Sequence, residues 1–263
     1  MIWTNNKLIA LHYNEEDKKL FNDNQKRYWE NIQKFYEKLQ KRCLPEITIP
    51  KSASHKEWIT ARVNLHTTTS LMRLLYLVEG FIGVSESFNA VASAVFVKGM
   101  TEVPLHLGHL AWILSEHNDF ESIRTELFKL AFGNRDKGIG LTVSSKISQK
   151  DLYIHSDAMI KKFFKNQPTT INIFETLYKE ANAIGHHNYE GRNLLCGVQN
   201  SDTWRMKDRK EWFVFISNNI FQFFMHCDAI LTMSDIFLNA VDHYLNQLPE
   251  NFLKEGLNSN KKY

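Results

Sequence analysis

Two histidines directly after the end of a predicted helix are the strongest candidates for chemistry in this sequence. His186 and His187 follow Gly185, and apolar residues recur at helical spacing over 171–184. Glycine commonly takes the left-handed conformation that ends a helix, so both imidazoles leave the helix at a fixed point. An imidazole gains or loses a proton near neutral pH. With Arg192 nearby as a phosphate ligand, the pattern favours acid–base cleavage of a phosphodiester.

A second polar group lies on the third predicted helix. Glu102, His106 and His109 follow one another at steps of four and three residues, and these steps bring side chains to one helical face. Lys98 joins that face only if the helix stays continuous through Pro104. Because proline cannot donate to the carbonyl four residues earlier, we expect a kink or a break there.

The two groups combine into one acid–base site. In this interpretation His186 or His187 transfers the proton, and the carboxylate of Glu102 orients the imidazole. Lys98 or Arg192 holds the phosphate, where a positive charge also stabilises the charge that develops during cleavage. We expect the two groups to meet in a cleft between the third and sixth predicted helices.

A metal site is the alternative chemistry. Carboxylate and imidazole ligands on facing helices suit iron, zinc or manganese, and Glu102, His106, His109 and His186 supply such a donor set. The sequence lacks the repeated Glu-x-x-His signature of di-iron bundles. We therefore expect no cofactor, and the metal site ranks below the acid–base site.

Both groups also allow a purely structural interpretation. A histidine just after a helix C-terminus is stabilised by the helix dipole when it is protonated. In that case Glu102, His106 and His109 are polar residues at a helix boundary, with one or two imidazoles hydrogen-bonded in the core.

The elements that must position these residues are helices. Hydrophobic periodicity predicts an all-α bundle of six or seven helices with at most one small β-hairpin. The predicted helices cover about residues 14–42, 54–81, 87–117, 119–132, 148–165, 169–185 and 208–245, and the hairpin falls within 191–207. We expect one domain over residues 1–263, with a polar, frayed tail over 247–263.

Composition and charge narrow the class of protein. The 263 residues carry 32 basic and 29 acidic side chains, a balance too even to indicate nucleic-acid binding from charge alone. The three cysteines form no Cys-x-x-Cys pair, which favours a reduced intracellular protein. No apolar stretch has the length of a membrane-spanning helix, and no signal peptide is recognisable. We therefore expect a cytoplasmic protein without a membrane partner.

The last predicted helix is unusually aromatic. We expect it to be buried along five positions: Phe213, Phe221, Phe224, Leu231 and Leu238. This length and aromatic density exceed what one face of a bundle needs, which favours a homodimer through the last helix.

Two segments resemble a known class of helical domains. Val97–Leu110 contains Lys98 and Glu102 and is similar to a helix with an Arg-small-x-x-Glu core followed by apolar residues. Tyr178–Asn188 is similar to a segment that ends a helix with a histidine near a turn. Both segments resemble parts of the HEPN superfamily, and the chain looks most like the uncharacterised HEPN-like all-α domains of bacterial genomes, over about residues 60–246.

The resemblance implies a domain that binds RNA or cleaves it without a metal ion. Ribonucleases of the family carry an arginine followed, after four to six residues, by a histidine. The nearest pair here is Arg62 and His66, which have three residues between them and lie on a different helix. Lys98 stands where arginine is typical, and lysine cannot make a two-pronged contact with phosphate. A non-catalytic helical module for interaction or dimerisation is therefore the alternative to an RNA-acting domain.

Overall fold

The described part of the chain is a bundle of helices with one hairpin, which confirms the predicted all-α fold. The computed structural model describes residues 10–19, 21–48, 53–87, 90–132, 147–163, 196–200, 203–206 and 209–252. Its helices are α1 (Glu15–Lys18), α2 (Asp23–Arg42), α3 (His55–Glu86), α4 (Ala90–Glu116), α5 (Phe120–Phe132), α6 (Gln149–Phe163) and α7 (Arg209–Gln247). Strands β1 (Cys196–Asn200) and β2 (Thr203–Met206) pair antiparallel where the hairpin is predicted. None of these helices combines the length and apolarity needed to cross a membrane.

The predicted first helix is in fact two helices, α1 and α2. The break comes at Asn22, whose side chain accepts a hydrogen bond from the backbone N–H of Gln25. The Gln25 side chain accepts in turn from the backbone N–H of Asn22, which completes a capping box. Because Asn22 has an extended backbone, the prediction of one continuous helix over 14–42 is wrong at this point.

α3 and α4 form a long antiparallel pair of helices, and most residues of the candidate site discussed below lie on this pair. α3 begins at Ser54, where Glu57 completes the predicted capping box, and it runs five residues past the predicted end, to Glu86. α4 continues through Pro104, so no break occurs there. Pro104 is buried, and packing of neighbouring helices on both sides of it holds the helix together despite the missing N–H donor.

α4 lies at the centre of the bundle. It packs against α3, α6 and α7, while α2 packs on α7. The largest fully buried side chains come from α2, α3 and α7: Tyr36, Phe81, Phe223, Phe224, Phe237, Ile32, Leu39, Ile59, Leu71, Leu74 and Leu75. Full burial of one such side chain stabilises a fold by about 1.5–3 kcal/mol. The predicted core role of α3, α4 and α7 is confirmed, α2 joins them, and the predicted helix over 169–185 lies outside the described residues.

The C-terminal half of α7 is buried within the chain. Phe224, Leu231 and Leu238 are each at most 1% exposed, as predicted; the side chains of Phe213 and Phe221 lie outside the described part. Rings from the N-terminal region and from α3 enclose Phe224, namely Tyr13, Phe21, Trp29 and Phe81. A homodimer through α7 would therefore have to use other side chains of this helix.

The segment after α7 packs back on the start of α3. The backbone N–H of Phe252 donates to Nδ1 of His55 over 3.2 Å, and the Ser54 hydroxyl donates to Glu250 over 2.5 Å. The expected fraying from residue 247 is therefore wrong as far as Phe252, because the cap of α3 provides partners for these residues.

Candidate functional site

α4 carries the second group of predicted site residues but divides them between two places. Because the helix is unbroken, Lys98, Glu102 and His106 share one partly exposed face. His109 lies one turn further on, where α6 covers α4, and its side chain is only 1% exposed. Glu102 and His106 therefore belong to one site, and His109 belongs to the contact between α4 and α6.

The partner of Glu102 is Arg73 of α3. Nη2 of Arg73 donates to Oε2 of Glu102 over 2.6 Å. A partly exposed ion pair of this kind stabilises a fold by at most about 1 kcal/mol. Its main effect is to hold the guanidinium of Arg73 in one direction beside His106. Both charges of the pair shift the pKa of that imidazole.

A pocket of about 420 Å³ lies next to this ion pair, between α3, α4 and α5. Its polar lining consists of His66, Thr69, Ser70, Arg73 and His106. Its apolar lining consists of Leu65, Leu107, Leu110, Leu130 and Ala131. Two imidazoles, the hydroxyl of Ser70 and a guanidinium are groups that can donate hydrogen bonds to an anion. The hydroxyl of Thr69 instead donates to the carbonyls of Leu65 and His66.

The imidazole of His66 lies beside the backbone of Leu127 on α5, which raises the pKa of His66. Burial is the larger effect, and together with the nearby Arg62 and His106 it keeps the pKa below its ordinary value of 6.5. His66 is therefore neutral at pH 7, and one of its ring nitrogens is a hydrogen-bond acceptor.

The proton affinity of His106 depends on two opposite charges. Burial is the largest cause that keeps the pKa of His106 below 6.5, and the positive charge of Arg73 acts in the same direction. The carboxylate of Glu102 raises the pKa. His106 is thus neutral in the empty pocket, next to a carboxylate that favours its protonated form.

Arg62 adds positive charge one helical turn before His66. Its guanidinium lies over the ring of Trp58 at 5.2 Å and over the ring of Phe128 at 5.5 Å. Both distances are within the range of a cation–π interaction, which limits the movement of the side chain.

His109 contacts a second histidine instead of the pocket. Its Nδ1 lies 2.6 Å from Nδ1 of His155 on α6, and the ring of Trp112 stacks on His155 with centroids 3.6 Å apart. Burial is the main reason that the pKa of His109 falls to about 3. This histidine therefore stays neutral at any physiological pH.

The site predicted first from the sequence lies outside the described residues. This applies to His186, His187 and Arg192, so their approach to Glu102 stays a prediction. Lys98 is described and lies one turn before Glu102 on α4.

A metal site would require the side chains of Glu102, His106, His109 and His186 to lie close together. The three of them that the structure describes lie in different surroundings. Glu102 is paired with an arginine, His106 lines the pocket, and His109 lies under α6. His186 is outside the described residues. In the part of the chain that the structure describes, no three His, Cys, Asp or Glu side chains are arranged to hold a metal ion.

Sequence reasoning missed the contribution of α3 to the pocket. The sequence does contain a signal for it, because Arg62, His66, Thr69 and Arg73 recur at steps of four, three and four residues. These steps form a polar stripe along a helix that is otherwise rich in apolar residues. The stripe identifies an exposed face of α3, but only packing shows that Glu102 lies opposite it.

Comparisons of the chain with protein-family models, curated proteins and solved structures give no match. The functional argument therefore depends on the geometry of the pocket.

Proposed function

We propose that this chain is a HEPN-like helical domain that binds RNA and cleaves it without a metal ion, at the pocket between α3 and α4. One observation carries the proposal: two imidazoles and a guanidinium, from His66, His106 and Arg73, line the same open pocket. Cleavage of a phosphodiester needs a base, an acid and a ligand for the developing negative charge, and these three side chains supply them.

The phosphate ligand is Arg73. A guanidinium has five N–H donors in a planar fork that matches the oxygens of phosphate. The bond to Glu102 uses one donor on Nη2 and orients the fork at the edge of the pocket. The hydroxyl of Ser70 lies on the same wall and adds one neutral donor, whereas the hydroxyl of Thr69 already donates to the carbonyls of Leu65 and His66.

His66 is the base and His106 is the acid. Burial keeps the pKa of His66 below 6.5, so the ring is neutral and one of its nitrogens is available as a proton acceptor. His106 is next to Glu102, which favours protonation. A bound phosphate adds a second negative charge beside His106, and this charge raises the pKa of the imidazole further.

The proposed reaction transfers the proton of the ribose 2′ hydroxyl to His66 while the 2′ oxygen forms a bond to the adjacent phosphorus. The bond between phosphorus and the 5′ oxygen breaks, and protonated His106 gives its proton to that oxygen. The products are a 2′,3′-cyclic phosphate and a 5′ hydroxyl. Arg73 stabilises the charge on the phosphate oxygens throughout the step.

The test is digestion of a mixed RNA in the presence of EDTA, with detection of 2′,3′-cyclic phosphate ends. His66→Gln and His106→Gln should each reduce the cleavage rate by about 10²–10⁴-fold, which is the usual contribution of a general acid or base. Arg73→Lys keeps the charge but loses the fork, so RNA should bind more weakly. His12→Asn is the control, because His12 is exposed, and this variant should retain full activity.

Other outcomes lead to different functions. Activity that survives His106→Gln but is lost in His186→Ala or His187→Ala would move the chemistry to the predicted site after Gly185. Binding of RNA without cleavage would refute the catalytic step and leave an RNA-binding domain. Absence of both binding and cleavage would reject the proposal and favour the non-catalytic interaction or dimerisation module.

A further inference from the structure

A contact between two histidines is one of several polar contacts that attach α6 to α4. Nδ1 of His109 faces Nδ1 of His155 over 2.6 Å. The two rings are nearly parallel, at 10°, and Trp112 stacks on the ring of His155 at an angle of 2°. Only one proton fits between two nitrogens at this distance, so one imidazole donates and the other accepts.

Burial identifies His109 as the donor. Its other nitrogen, Nε2, is buried and has no hydrogen-bond partner. A buried N–H without an acceptor is rare in folded proteins and costly. The proton of neutral His109 therefore belongs on Nδ1, and Nδ1 of His155 accepts it through its lone pair. The proton of neutral His155 then belongs on its own Nε2.

Protonation of His155 removes this contact. A second proton on His155 must bind Nδ1, since this is the nitrogen that still has a lone pair. Two N–H groups would then face each other across 2.6 Å. Moving the His109 proton to Nε2 relieves that conflict but leaves a buried N–H without an acceptor. His155 is only partly buried, so protons from solvent reach it first.

Charged and titratable groups on three helices face this pair. They are Asp151 on α6, Glu126 on α5, His106 and Glu116 on α4, and His117 directly after α4, with Lys162 of α6 paired to Glu116. The carboxylates raise and the histidines lower the pKa of the pair, while burial is the largest cause for both members. Both histidines therefore stay neutral at pH 7, and their protonation requires acid.

We propose that the His109–His155 pair is an acid-sensitive latch, which holds α6 against α4 at neutral pH and releases it when His155 takes up a proton. Release weakens the neighbouring contacts of the same interface, in which the hydroxyl of Ser156 donates to the carbonyl of Leu105 over 3.1 Å. The latch lies apart from the proposed reaction, since neither His109 nor His155 lines the pocket.

Hydrogen exchange in α6, measured at about pH 7.5 and about pH 5 and corrected for the intrinsic effect of pH, tests the latch. Wild-type α6 should lose protection at the lower pH, because the released state takes up the additional proton more readily than the latched state. In His155→Asn the amide oxygen accepts from His109 in place of Nδ1 and cannot be protonated in this range. The loss of protection of α6 at the lower pH should therefore be clearly smaller in this variant than in the wild type.

Two controls keep the result specific. α2, measured in the same samples, should lose less protection than α6, and His12→Asn should respond to pH as the wild type does. Equal protection of wild-type α6 at both pH values, an equal loss in His155→Asn, or a parallel loss in α2 would each overturn the latch. A measurement on the wild type alone avoids any folding defect of a variant: ¹⁵N spectra of the histidines should show His109 protonated on Nδ1, and protonation on Nε2 would refute the latch.

Discussion

His106 lies between a carboxylate and a guanidinium whose charges shift its pKa in opposite directions. Glu102→Gln removes the negative charge at nearly constant size, so the pKa of His106 should fall further below 6.5. The check is an NMR titration of the histidine ring protons. Arg73→Gln is the matched control and should move the same titration upward, because it removes the positive charge and frees the carboxylate.

The same titration distinguishes two possible partners of the Glu102 carboxylate: His106, or one of the two histidines after Gly185. A His106 titration that does not respond to Glu102→Gln, or that moves upward, would show that the pair with Arg73 does not influence the pocket. A response at His186 or His187 instead would support the contact that the sequence predicts for this carboxylate.

At the scale of elements, the contact between α4 and α6 requires glycine at position 108. A Cβ atom there would lie 2.5 Å from Oγ of Ser156 and 3.0 Å from Cζ of Phe237, so α6 and α7 would both have to move. Gly108→Ala should therefore lower the free energy of unfolding by about 1–3 kcal/mol, as expected for overpacking. Urea denaturation measures this change.

Gly83 of α3 is the matched control for this substitution. It is also a helical glycine, but nothing lies within 4 Å of an added Cβ. Gly83→Ala should raise the free energy of unfolding by about 0.5–1 kcal/mol, because alanine loses less conformational entropy in a helix. Gly108→Ala as stable as the wild type would show that α4 and α6 are not in close contact.

At the scale of the whole molecule, four of the histidines that the structure describes connect stability to pH. Burial lowers the pKa of His66, His106, His109 and His155 below 6.5, so the unfolded chain binds more protons than the native chain below this pH. The contribution is complete above 6.5 and is lost as the pH falls toward the native values, which for His109 is about 3. The free energy of unfolding from urea titration should therefore be lower at about pH 5 than at about pH 7.5.

One described carboxyl works in the opposite direction. Burial raises the pKa of Asp228, so this group favours the native state as the pH falls. Because four histidines oppose this one carboxyl, the free energy of unfolding should still fall as the pH is lowered. His109→Leu removes the most perturbed of the four and should make the pH dependence shallower. A chain that becomes more stable on acidification over this range would contradict the assignment.

The sequence by itself determined the helices, because the signals that begin and end them are local. Ser54 with Glu57 marks the start of α3, and Ser148 with Asp151 marks the start of α6 in the same way. The break before α2 was also encoded locally, since Asn22 and Gln25 have the spacing of a capping box. The predicted single helix missed it because the apolar stripe continues through the break.

Only the tertiary structure decided which polar residues meet. Arg73 and Glu102 are 29 residues apart, and nothing in either helix alone indicates that α3 presents its polar stripe to α4. The fate of His109 depends on α6 in the same way, because spacing places it with Glu102 while packing covers it with His155. Periodicity assigns a residue to a face of its own helix, but the neighbour of that face follows from how side chains of several helices fill a common core.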